Sequence, residues 1–175
     1  MTIKLVRPKI EYADQVMQYK DAMISNGDSL DGCADLGDCT SFSEWIDFER
    51  RLKTKYGDGY VPSETYLAIR DADDKVVGMI DYRLQLTPFL MEYGGNIGYS
   101  VLPSERRKGY ASEMLELMLS ICRNHGESRV LVICDKSNTV SRKTIIKNGG
   151  VLENEIELNG DSGDAEIIQR YWIEL

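Results

Sequence analysis

The chain holds 175 residues, 42% of them apolar and 29% charged, the proportions of a soluble globular protein whose core fits one domain, residues 1–175. Acidic residues number 29 against 21 basic ones, and a formal charge of −8 argues against a nucleic-acid partner, because phosphate neutralisation needs a basic face. Four scattered cysteines, no Cys-x-x-Cys pair, no signal-like N-terminus and no apolar run of spanning length point to a reduced, cytoplasmic protein with no membrane partner.

Residues 2–6 alternate and predict a first strand. Residues 11–24 space Ala13, Val16, Met17, Tyr19, Met23 and Ile24 as a helix, stopped by Asn26-Gly27. Residues 25–40, rich in Ser, Gly and Asp, read as a loop. Ser41 and Glu44 form a capping box ahead of Phe42, Trp45, Ile46, Phe48 and Leu52. A second helix therefore runs to about residue 56, with Gly57 as C-cap and a loop over 57–62. Strands follow at 65–70, 76–86 and 97–102, the first two joined by an Asp-rich turn at 71–74.

Residues 109–123 carry an apolar stripe of Ala111, Met114, Leu115, Met118, Ile121 and Cys122 and predict an amphipathic helix closed by Gly126. Residues 129–134 are a continuous apolar run, the pattern of a strand covered on both faces. A short helix at 139–147 has Asn138 as N-cap and Gly149 past its end. Residues 151–158 and 165–175 flank a turn at 159–163 as a terminal hairpin. The order βααβββαβαββ predicts an α/β (α+β) protein with a single mixed sheet flanked by helices.

The stretch with the most chemistry lies between the 97–102 strand and the helix after it. The basic turn Arg106-Arg107-Lys108-Gly109 leads straight into that helix. Amides at a helix start are unpaired and carry the positive end of the dipole, and Gly109 lets an anion approach the backbone closely. Three adjacent cations add attraction, so the turn reads as a pyrophosphate or oxyanion site, with a solvated basic turn as the plain alternative.

Arg106-x-x-Gly109-x-Ala111, entered from Val101-Leu102-Pro103, resembles the Arg/Gln-x-x-Gly-x-Gly/Ala signature of the Gcn5-related N-acetyltransferases (GNAT). Asn138, Ser141 and Gly149 match a second segment of that family, and the element order matches over residues 3–175. The resemblance implies a GNAT-like, mostly antiparallel sheet and an N-acetyltransferase with acetyl-CoA as cosubstrate and no metal. By resemblance, the main-chain amides of Arg107, Lys108, Gly109, Tyr110 and Ala111 cradle the pyrophosphate, with Arg106 beside them. The strand edge at Val101 and Leu102 pairs with the pantetheine arm, and one N–H there polarises the thioester carbonyl. Asn138 and Ser141 touch the arm from the other side, where the sheet splays between 97–102 and 129–134.

The chain departs from the family at its catalytic positions. A Tyr common seven residues after the Asn is Ile145, and a Glu common two residues before the strand Gly is Asn96, neither of them an acid or base at neutral pH. The remaining candidates are Glu92 or Asp81 as base and Tyr171 or Tyr99 as acid, each competing with a plain packing or solvated role.

Residues 21–49 hold eight carboxylates (Asp21, Asp28, Asp31, Asp35, Asp38, Glu44, Asp47 and Glu49) and no Lys or Arg. In the resembled fold this segment walls the acceptor site, where a negative surface attracts a cationic amine; a solvated acidic face is the alternative. Residues 104–148 carry nine basic and five acidic residues, so the net charge combines a basic cofactor segment with an acidic remainder. His125, the only histidine, reads as a helix C-terminal residue, and the cysteines as core. The expected acceptor is a small-molecule or peptide amine. A non-catalytic acyl-CoA-binding sensor or interaction module is the alternative function, and a homodimer is an open option at this size.

Overall fold

The computed structural model describes residues 2–54, 57, 59–159 and 165–175. Seven strands, β1 (Ile3–Val6), β2 (Ser63–Arg70), β3 (Lys75–Arg83), β4 (Ile97–Val101), β5 (Arg129–Asp135), β6 (Val151–Asn159) and β7 (Ala165–Glu174), form one sheet in the order β1-β2-β3-β4-β5-β7-β6. Every neighbouring pair is antiparallel except β4 and β5, which run parallel with helix α4 (Tyr110–Asn124) as the crossover. Connecting parallel neighbours requires such a crossover, so the parallel pair marks where two antiparallel groups of strands are joined.

The helices divide into two groups, each with its own core. Met114, Leu115, Met118 and Cys122 of α4 pack with Ile80, Tyr82, Val130 and Val132, and Ile145 of α5 (Thr139–Lys147) joins them. Val16, Tyr19 and Met23 of α1 (Ala13–Ser25) pack with Trp45 and Ile46 of α2 (Phe42–Leu52) against Leu67, Ile69 and Met79. The capping residues act as their chemistry requires. Ser41 accepts from the Glu44 amide at 3.2 Å, and Asn138 accepts from the Ser141 amide at 3.0 Å.

One element differs from the sequence expectation. The predicted strand over 76–86 stops at Arg83, and a short helix, α3 (Pro88–Tyr93), follows. Thr87 caps it by accepting from the Leu90 amide at 3.2 Å, and Pro88 occupies the first turn, where its missing N–H costs nothing. Helix α2 ends at Leu52, and the predicted end near residue 56 falls outside the described residues, as do residues 160–163 of the terminal turn.

Candidate active site

Strands β4 and β5 touch at one register position, Ile97 opposite Val132. Asn96 fixes that point. Its main-chain N–H donates to the Leu131 carbonyl at 2.7 Å and its Oδ1 accepts from the Leu131 amide at 2.9 Å. Its Nδ2 donates to the Arg83 carbonyl at 3.1 Å, replacing the N–H that turned away from β3. Asn96 is therefore a clamp on both neighbouring strands, and beyond it β4 and β5 diverge.

The ladder phase decides what the divergent edge offers. The Leu102 amide donates to the Val77 carbonyl at 2.9 Å, so residues 98, 100 and 102 turn their main-chain groups towards β3. Tyr99 and Val101 turn theirs the other way, into the cleft between β4 and β5. This corrects the expectation for Leu102: its N–H is already bonded within the sheet, and its side chain is absent from the cleft lining.

The cleft has a volume of about 1000 Å³. It is walled by Val101, Arg106, Arg107, Gly109, Tyr110 and Ala111 on one side and by Asn138, Ser141 and Thr144 on the other. Arg107 and Gly109 both have left-handed backbone (φ 62° and 87°), which bends the turn into the start of α4. Among the described residues, no protein group accepts from the amides of Arg107, Lys108 or Gly109. An anion with several oxygens fits such a turn.

The three cations of the turn are not equivalent. Lys108 is ion-paired to Glu105 at 2.8 Å and does not line the cleft. Arg106 reaches back to the Val101 carbonyl at 3.1 Å and forward to Asp28 at 2.6 Å. Arg107 is left to face solvent and the cleft, and Lys143 and Lys147 of α5 add charge from across it. Those two lysines are the part of the basic segment that motif reading passed over. Behind the turn, Glu105 receives Arg70, Lys75 and Lys108 together. Burial opposes its charge, but the hydrogen bonds from Lys108 and Lys75 outweigh that and hold the carboxyl down at about 2.

A smaller chamber of about 290 Å³ adjoins the cleft and shares Asp31, Gly32 and Arg83 with it. Its wall includes Asp35, Tyr60, Asp81 and Leu90. The α1–α2 loop reaches this position because Gly32 lies directly on β4. A Cβ there would meet the Gly98 carbonyl oxygen at 2.4 Å. Trp45, fully buried, holds the loop from behind by donating to the Cys33 and Ala34 carbonyls at 2.8 and 3.1 Å. Part of the acidic run thus becomes a chamber wall, a placement that sequence spacing alone did not reveal.

The catalytic candidates separate by position. Glu92 is exposed on α3 and lines neither cavity. Tyr171 is buried in the sheet, donates to Gln169 Oε1 at 2.8 Å and lines neither cavity. Each is corrected for the same reason: its strand or helix aims it away from the divergence. Tyr99 lines the cleft, with its hydroxyl 2.8 Å from Ser141 Oγ on α5, and burial pushes its pKa up to about 12. Asp81 is buried and lines the chamber. His125 ends α4, edge-on to the Tyr82 ring and 3.5 Å from Glu64, a structural position. Among the described residues no three His, Cys, Asp or Glu side chains gather as a metal site.

Comparisons with known proteins bear on the fold and the family. No curated protein matches the chain significantly. Among solved structures, the ribosomal L7/L12 α-N-protein acetyltransferase RimL in complex with coenzyme A aligns with a TM-score of 0.73 at 18% identity, over 100% of this chain and 95% of that one. A GNAT-family acetyltransferase from Streptococcus pneumoniae aligns at 0.70 and 15% identity, over 99% and 100%. The microcin C7 self-immunity acetyltransferase MccE, in complex with acetyl-CoA and AMP, aligns at 0.66 and 16% identity, over 99% and 92%. These likenesses establish a shared fold. The sequence profile of the acetyltransferase (GNAT) domain matches residues 9–151, and the chain belongs to the GNAT acetyltransferase family.

Proposed function

We propose that the protein transfers the acetyl group of acetyl-CoA to a primary amine, with a cationic small molecule or peptide as acceptor. The observation that carries this reading is the junction of two unlike cavities: an open strand edge with a basic, amide-rich turn on one side, and an acidic chamber on the other. The amides of a pantetheine arm suit the edge at Tyr99 and Val101 as an added strand would. A pyrophosphate suits the turn at Arg107 and Gly109, with Lys143 and Lys147 supplying further charge. A main-chain N–H on the same edge would polarise the thioester carbonyl. The donor supplies the activated acyl group, and the chain orients it and holds water away. Asp31 and Asp35 raise the local concentration of a cationic acceptor. RimL and MccE, acetyltransferases of the same fold, have been seen with coenzyme A and acetyl-CoA, which supports the choice of donor.

The test is calorimetric titration with acetyl-CoA, then thiol release against a panel of putrescine, agmatine, an aminoglycoside, Nα-acetyl-lysine amide and a Ser-Ala dipeptide amide. The expected result is saturable binding, with release and acetylated product for at least one amine. No binding refutes the reading. Binding without release on any amine selects the second one, a non-catalytic acyl-CoA sensor. That alternative draws on Ile145, fully buried, and Asn96, whose side chain is occupied by main-chain groups of β3 and β5.

A further inference from the structure

We propose that Asp81 is the base that takes the acceptor's ammonium proton, working from the acidic chamber beside the cleft; this rests on the acetyl-transfer reading above. The assignment starts from burial. Of the three carboxylates on the chamber wall, Asp31 and Asp35 are exposed, whereas Asp81 is only 6% exposed. Asp31 already accepts from the Ser29 hydroxyl at 2.7 Å and Asp35 from the Tyr60 hydroxyl at 2.7 Å. They lie exposed at the rim, each already engaged by a hydroxyl.

Asp81 is held differently. Its Oδ1 accepts from the Gly98 amide at 3.1 Å, which fixes the carboxyl against β4 where the cleft begins to open. The Asp81 main-chain N–H also donates to the carboxyl, and Oδ2 faces the Arg83 guanidinium. The Arg83 guanidinium stops 3.6 Å away, beyond a hydrogen bond, because its Nη1 is engaged by the Gly94 and Gly95 carbonyls at 3.2 and 3.0 Å. Gly98 anchors one oxygen, and the other, ion-paired with Arg83 at a distance too long for a hydrogen bond, is the one that takes the proton.

The groups facing this carboxyl are few. Arg83 lies on its own strand, Asp31 and Cys33 come from the α1–α2 loop, β2 pairs Thr65 opposite it, and β4 supplies the Gly98 amide. Burial raises its proton affinity above the usual carboxylate range, against the opposing charge of Arg83 and the Gly98 N–H. Cys33, pushed up to about 12 by burial, remains a neutral thiol and adds no charge at neutral pH.

The step balances. The acceptor ammonium loses one proton to Asp81 Oδ2, directly or through one water. The freed nitrogen lone pair forms the C–N bond at the thioester carbonyl carbon. The C–S bond breaks with its electron pair leaving on sulfur, and sulfur takes up the second nitrogen proton. Asp81 then returns its proton to solvent, so one ammonium and one thioester give one amide, one thiol and one proton.

Asp81→Asn preserves shape and an acceptor for the Gly98 amide. It is assayed with the panel amine that the parent acetylates fastest and with hydroxylamine, whose nitrogen is already unprotonated at neutral pH. The expected result is a fall in kcat/KM of about 100-fold or more on the amine. Acetyl-CoA affinity by calorimetry should stay within about twofold, and hydroxylamine turnover should be much less affected, because no proton has to be removed before attack. Retained activity on the amine overturns the assignment, and so does an equal loss on both nucleophiles, which is the signature of a merely positional role. If the variant fails to fold, the parent decides. The acid limb of its kcat/KM profile must fall at the pH where the Asp81 carboxyl titrates by ¹³C NMR, and a limb elsewhere overturns the proposal. A parent for which none of the nucleophiles elicits thiol release removes the acetyl-transfer reading and this one together, whereas an active parent with an active Asp81→Asn removes only this one.

Discussion

Replacing Gly32 by Ala tests the contact that places the acidic loop on the sheet. An added Cβ would lie 2.4 Å from the Gly98 carbonyl oxygen and 2.8 Å from the Gly98 carbon and the Tyr99 Cα, all backbone atoms that cannot swing aside. Ordinary contact begins near 3.4 Å, so loop and strand must part by about 1 Å. The left-handed φ of 75° adds about 1–2 kcal/mol for any residue with a Cβ. Overpacking adds roughly 1–3 kcal/mol. At roughly 2–4 °C per kcal/mol for a domain of this size, the combined cost lowers Tm by about 4–20 °C. Gly27→Ala is the control: its φ is 72°, yet nothing lies within 4 Å of the added atom, so it carries the conformational cost alone. Differential scanning calorimetry of both variants isolates the steric part. A loop displaced by about 1 Å should lower kcat/KM for the acceptor by about 100-fold, with a smaller effect on acetyl-CoA affinity. A Gly32→Ala protein as stable as Gly27→Ala would refute the close approach.

Three further outcomes follow from the site. Gly109→Asp should weaken acetyl-CoA binding by about 100-fold or more, through charge repulsion at the turn. Gly109→Ala should weaken it far less, because the added atom meets open space and only the φ of 87° resists it; equal losses by calorimetry would remove the anion from this turn. Neutralising Asp31 and Asp35 together to Asn should raise the KM of a cationic acceptor several-fold at low salt and leave acetyl-CoA binding unchanged, and an unmoved KM would make the wall a solvated face. Glu105 is held at about 2 when folded against an ordinary 4.5, so its contribution to stability is complete above about pH 4.5 and is lost as pH falls towards 2. In Glu105→Gln this part of the acid limb of Tm against pH should flatten, and an unaltered limb would count against the Arg70–Lys75–Lys108 cluster.

Local chemistry was legible in the sequence, and long-range packing was not. The caps at Ser41 and Asn138, and the apolar stripe of α4, follow from short spacings, and each stands where the spacing placed it. The α3 helix was equally local: Thr87-Pro88 is a helix start, but the apolar run before it read as one long strand. The basic turn was visible as a cluster of three cations. Only the Glu105–Lys108 pair could be anticipated from its spacing of three, since Arg106 finds Asp28 across 78 positions of sequence. Gly32 against Gly98 and the engagement of Arg83 by Gly94 and Gly95 depend on how a loop and a strand end meet in space. For that reason Asp81 and Glu92 looked alike in the sequence, although one is buried on a chamber wall and the other lies in solvent.

The clamp at Asn96 gives the molecule the build of a book. One leaf, β1 to β4, comes entirely from the chain before residue 102, and the other, β5 to β7, entirely from the chain after residue 128. The spine is the short seam of Asn96 and Ile97 against Leu131 and Val132, with α4 as the cover that crosses it once. The acidic chamber is written wholly on the first leaf, whereas the cleft needs both. If the chamber takes the acceptor and the cleft the donor, as proposed above, the two preferences overlap in sequence only at the first leaf, where Asp31, Gly32 and Arg83 line both cavities. Asp35, Tyr60 and Leu90 line the chamber alone and α5 lines the cleft alone, so each cavity can be altered at those positions without touching the wall of the other.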